Sequence, residues 1–201
     1  MSEDAKKPSF KSDDEMWAYI EEQETLLNQL DDVFLKKPKP HDGLPEAPAP
    51  FKEMERLALD GNPSAQYNLS IAYRNGDGVT RDFEKSAHWL LKAAEAGFAP
   101  AEFDIGCHWL DAKKTDDAFR WFMKAARQNY GPAQFNIGTI CGKSGNYSRA
   151  YCWFYLAEQN RVDGARHNRE IAAARLSKEE MDRTRIDLSI LMTDLRKAEA
   201  G

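Results

Sequence analysis

Cysteine is scarce in this sequence, long apolar runs are missing, and no charge sign dominates. Three cysteines in 201 residues are too few, and odd in number, for a disulfide-stapled scaffold. Nothing approaches the roughly eighteen consecutive apolar residues of a membrane-spanning helix, so no membrane partner is expected. The opening MSEDAKKPSFKSDDEMW is charged and lacks the apolar centre of a secretory leader, which makes the cytoplasm the expected location. A net charge of -5 and a pI near 5.5 give no bulk attraction to nucleic acid. His-Glu-x-x-His, Cys-x-x-Cys and Gly-x-Ser-x-Gly are absent, and His88 and His108 stand alone. The expectation is therefore a protein that is not an enzyme, with no metal and no cofactor.

The charge is unevenly placed. Residues 1–35 hold 10 of the 33 acidic residues and 3 of the 28 basic ones. Residues 36–50, KKPKPHDGLPEAPAP, contain five prolines, which fix backbone angles and remove donors, as in a semi-extended linker. Within the acidic arm, Ser12 and Glu15 have the spacing of a capping box. Met16, Ile20, Leu27, Leu30 and Phe34 then recur on one helical face, broadened by Trp17. The opposite face carries Glu21, Glu22, Glu24, Asp31 and Asp32. This pattern predicts an amphipathic helix whose apolar side needs a partner, either its own body or another chain.

Beyond residue 50 the chain repeats itself. Trp89, Trp121 and Trp153 are each 32 residues apart, within HWLLKAAEAG, RWFMKAARQN and CWFYLAEQN. Upstream of them stand AQYNLSIAY, AEFDIGCHW and AQFNIGTIC. Spacing of this size signals a solenoid. Each unit reads as two helices. The first places Ala65, Leu69 and Tyr73, or their counterparts, on one face. The second begins after Asp82, Asp116 or Tyr147 and carries the tryptophan. Gly97 and Asn129 are suited to end it in a left-handed turn, and Pro100 and Pro132 to start the next helix. The tryptophans follow the repeat register and are expected in the core.

The first unit, AQYNLSIAYRNGDGVTRDFEKSAHWLLKAAEAG, resembles the Sel-one-like repeat, a relative of the tetratricopeptide repeat. It departs at Ser70, where that family prefers glycine; Gly106 and Gly138 restore it. The second and third units lack the Gly-x-Gly-Val loop. The resemblance covers residues 51–176 and implies an all-α fold: an αα-solenoid of about three helix pairs with helical caps. Residues 51–64 register with the end of a second helix and cap the front. GARHNREIAAARL supplies a fourth first helix. Ser177 and Glu180 form a capping box opening a final helix over residues 177–201, with Met181, Leu188, Leu191 and Leu195 on one face.

The resemblance also implies a concave wall built from the first helices. Aligned units put Tyr67, Phe103, Phe135 and His167 in one row, Ile71 and Cys107 in the next, and Arg74 beyond. These are the candidate partner-binding residues, as an aromatic ladder gripping a partner segment. The alternative, that the rings pack between neighbouring helices, stays open. The row Asn68, Asp104, Asn136, Asn168 reads as a structural hydrogen-bonding set. Gly76, Asp77 and Gly78 read as a turn.

The expected function is a non-enzymatic adaptor or scaffold binding another protein through the concave face and the arm. A second reading is a bacterial immunity protein that occludes a toxin or secretion-related protein, since acidic proteins suit basic toxins. A structural subunit, or a homo-oligomer through the N-terminal helix, is a further alternative.

Overall fold

The computed structural model describes residues 49–200. The acidic arm, including Met16, Trp17, Ile20, Leu27, Leu30 and Phe34, lies outside the described residues, as does most of the proline-rich linker. Every regular element among the described residues is an α-helix. In chain order these are α1 (Ala49–Leu59), α2 (Pro63–Asn75), α3 (Phe83–Glu95), α4 (Ala99–Asp111), α5 (Thr115–Arg127), α6 (Gly131–Lys143), α7 (Tyr147–Gln159), α8 (Ala165–Ala173) and α9 (Lys178–Ala200). The fold is an αα-solenoid. Helix α1 begins at Ala49, two residues inside the stretch whose prolines predict linker.

The helix boundaries have identifiable causes. Asp82 caps α3 by accepting from the Lys85 amide, and Asn146 caps α7 by accepting from the Arg149 amide. The start of α5 differs from the sequence expectation. It opens at Thr115 without a side-chain cap, and Asp116 and Asp117 lie inside its first turn. There they still oppose the positive end of the helix dipole. Gly97 and Asn129 have positive φ, +76° and +57°, and turn the chain from α3 into α4 and from α5 into α6. Pro100 and Pro132 occupy the first turns of those next helices, where a missing amide proton costs nothing. Gly76, at φ +84°, ends α2 and opens the long first loop.

Each first helix packs on its own second helix and on the preceding one: α2 with α3, α4 with α3 and α5, α6 with α5 and α7, α8 with α7. Helix α1 packs on α2, where Phe51 meets Tyr73 edge to face at 5.8 Å. Met54, Leu57, Val79 and Trp89 close over that cluster. Along the array Ala101, Ala133, Ala125 and Ala157 are completely buried, so helix backbones approach closely and the larger Phe122, Met123 and Ile137 fill the remaining space. Each such side chain contributes on the order of 1.5–3 kcal/mol on burial. Trp121 and Trp153 are buried, as expected; Trp89 is only half-buried.

The repeat glycines have a steric reason. A Cβ on Gly106 would lie 2.6 Å from the Phe122 ring, and one on Gly138 would lie 2.8 Å from the Phe154 ring. In the first unit the register partner of these phenylalanines is Leu90. A serine stands opposite it: Ser70 is buried and donates its hydroxyl to the Tyr67 carbonyl at 2.7 Å.

The last helix does not stack as a further repeat. Ser177 and Glu180 form the expected capping box, with reciprocal bonds of 2.8 and 3.2 Å. Helix α9 then packs on α7 and reaches α5, lying against second helices. Thr184, Leu188 and Leu195 are buried, with Met181 and Leu191 half-buried beside them. The Cys152 thiol of α7 donates to the Thr184 carbonyl at 3.7 Å.

Candidate functional site

The first helices present the candidate residues in register. Tyr67, Ile71 and Arg74 project from α2, Phe103 and Cys107 from α4, Phe135 from α6 and His167 from α8. Arg74 and His167 are exposed; the other five are half-buried. The row is therefore neither a free ladder nor a closed core. Tyr67 leans on Phe98 at 5.4 Å. Phe103 sits between Phe122 at 5.6 Å and Tyr130 at 5.4 Å. Phe135 meets Phe154 at 5.4 Å. One side of each ring is thus engaged by a neighbouring helix or loop.

The junction of the first two units holds the most organised group. The Tyr67 hydroxyl donates to Asp104 Oδ2 at 3.1 Å. Arg74 places its Nη1 at 3.8 Å from the same oxygen. Two consecutive first helices are tied at this point. Burial, and then the negative field of Asp104, push the Tyr67 phenol up to about 12. It remains a proton donor at any ordinary pH. Burial, Asp104 and Asp111 likewise push the Cys107 thiol up to about 11. Such a thiol is a poor nucleophile at neutral pH. Tyr130 is shifted upward too, by burial, Asp104 and Cys107. The cluster offers a guanidinium, phenolic groups and apolar ring faces, the chemistry of recognition.

Asp104 has a larger part than its repeat position predicts. It belongs to the row expected to be structural, and the Tyr67 bond fits that. It also anchors the exposed Arg74. Tyr130 and Phe98 are absent from the candidates drawn from sequence. Their signal was present: each stands two residues before the proline of the next first helix, at Pro132 and Pro100. His167 does not join the cluster. Its helix is held by a different group, in which Glu158 accepts from Arg166 at 2.8 Å and Arg169 at 2.7 Å.

Cys107, Cys141 and Cys152 form no disulfide with one another. Among the described residues no group of three or more His, Cys, Asp or Glu side chains could hold a metal ion. No helix among them is long and apolar enough to cross a membrane.

The Sel1 repeat family matches residues 63–98, 111–130 and 131–160. The first and third segments coincide with the pairs α2–α3 and α6–α7; the second runs from the last residue of α4 through α5 and leaves the rest of α4 outside the match. The matched segments carry Sel1-like repeats. A Sel1 repeat protein from Oxalobacter formigenes has a similar structure, at 26% identity and a TM-score of 0.56, covering 60% of this chain and 97% of that one. The protective antigen c5321 of uropathogenic Escherichia coli, with an SLR fold, is 23% identical over 75% of this chain and 42% of its own, with a TM-score of 0.44. Immunity protein Pa5087 from Pseudomonas aeruginosa is 18% identical over 85% and 82% of the two chains, with a TM-score of 0.36. Similarity that low does not transfer the immunity role. No curated protein matches the chain.

Proposed function

We propose that this repeat protein is a non-enzymatic interaction module that holds a partner protein against its first-helix face. Sel1 repeats generally mediate protein–protein interaction, and the site chemistry supports that reading. The observation that carries it is the Tyr67–Asp104–Arg74 group. It is a fixed polar anchor flanked by half-exposed rings, on the wall that α9 does not use. Helix α9 packs against α7 and α5, so part of the second-helix wall is already engaged within the chain. The acidic arm, with its apolar stripe, is a second surface for the same partner or for another copy.

The test is titration of a partner, recovered by affinity capture on the full chain, against variants. Tyr67→Phe combined with Arg74→Ala removes the polar anchor while keeping the ring. It should weaken binding by about tenfold, equivalent to ~1.4 kcal/mol. Removing residues 1–35 should weaken it further if the arm embraces the partner. Unchanged affinity in both variants rejects the first-helix face.

A further inference from the structure

Helix α9 has a second ordered face. Thr184, Leu188 and Leu195 turn one side of it onto the chain's own body. On the opposite side Glu179, Arg183, Ile186, Ile190, Thr193 and Lys197 form one stripe, at alternating steps of four and three residues. All six are exposed. That spacing is the seam of a paired-helix contact. Five large apolar side chains are exposed among the described residues. Two of them, Ile186 at 63% and Ile190 at 56%, stand together at the centre of this stripe. Isoleucine gains nothing there in a single chain: it is a poorer helix former than leucine or alanine, and its side chain faces water. An apolar centre within a charged rim is the anatomy of a contact surface.

The order of the charges selects the occupant. With a second α9 laid antiparallel on the stripe, Ile186 of each copy faces Ile190 of the other. That register brings Glu179 to Lys197, Asp182 to Arg196 and Arg183 to Asp194, each pair made twice by the two-fold axis. A parallel pairing would set each of these charges against its own copy. The like-charge contacts of the antiparallel register are Asp187 with its own copy at the axis and Glu180 with Asp194; Arg183 and Lys197 stand beside the latter. Glu179 and Lys197 also suit the two ends of the helix dipole. Arg183 and Asp194 run in the opposite sense, so the dipole does not account for the pattern. Within the helix Asp194 pairs with Lys197 at 3.5 Å and Asp182 with Arg185 at 3.3 Å, both at the exposed surface. Such pairs contribute little alone and lose nothing by joining a network across the contact.

We propose that α9 pairs antiparallel with α9 of a second copy, making the chain a two-fold dimer. The seam is short, ~27 Å at the usual rise. Each helix is already folded against α7 and α5, so association does not have to order it. Because α9 lies against second helices, pairing through it leaves Tyr67, Asp104 and Arg74 uncovered, and the dimer presents that face twice.

Sedimentation equilibrium of the full chain over about 1–100 μM tests this. At the upper end it should show a species of twice the 22.9 kDa chain mass. Ile186→Glu combined with Ile190→Glu changes only the solvent side of α9. It should raise the dissociation constant at least ~100-fold and leave the dichroism spectrum unchanged. Arg183→Asp alone should weaken the dimer about tenfold, and adding Asp194→Arg should restore it, since the exchanged charges meet again only in the antiparallel register. A wild type that stays monomeric overturns the proposal. So does a dimer that survives the isoleucine changes, including one lost only on removal of residues 1–35, and so does a double exchange that recovers nothing.

Discussion

Gly106 and Phe122 occupy the same space: a Cβ on residue 106 would lie 2.6 Å from the phenylalanine ring. Phe122 is fully buried and has no room to retreat. Gly106→Ala should therefore destabilise the fold by ~1–3 kcal/mol, as overpacking does. The first unit, with Ser70 in register with Gly106 and Leu90 with Phe122, points to the remedy. Adding Phe122→Leu to Gly106→Ala should recover at least about 1 kcal/mol relative to the sum of the single changes. Chemical denaturation of the three variants measures this. Strict additivity would show that the two residues do not compete.

Trp121 and Trp153 are buried and Trp89 is half-buried. Trp121→Ala should cost ~3–5 kcal/mol, in line with large aromatic truncations in cores. Trp89→Ala should cost less. Thermal or denaturant unfolding distinguishes them, and equal losses at the two sites would contradict the packing.

The buried Gln66 leaves its Oε1 without a hydrogen-bond partner among the described residues. In the next two units, Gln128 and Asn160 donate to the corresponding oxygen. The residue in their register is Ala96, which is exposed. Ala96→Gln should supply the missing donor and raise stability by about 1 kcal/mol. A melting temperature unchanged by this substitution would mean that the first unit's geometry does not admit the tie.

The repeat was legible because spacing alone fixes which residues share a face. Trp89, Trp121 and Trp153 set the register, and the helix ends at Gly97 and Asn129 followed from backbone conformation. The half-buried state of Tyr67, Phe103 and Phe135 was not legible. For Tyr67 and Phe103 it depends on Phe98 and Tyr130 reaching across from loops that repeat alignment treats as spacers, and for Phe135 on the Phe154 ring. The placement of α9 was hidden too. A capping box and an apolar stripe show that a helix forms and has a sticky face, but not which wall receives it. That was decided by contacts at long range in sequence, such as Cys152 with Thr184.

Hydrogen exchange of the full chain, alone and with its recovered partner, tests the central claim most directly. Binding on the first-helix face predicts slowed exchange in α2 and α4 around Tyr67, Arg74 and Asp104, with α9 unaffected. Protection confined to α9 or to the second helices α3, α5 and α7 would contradict it.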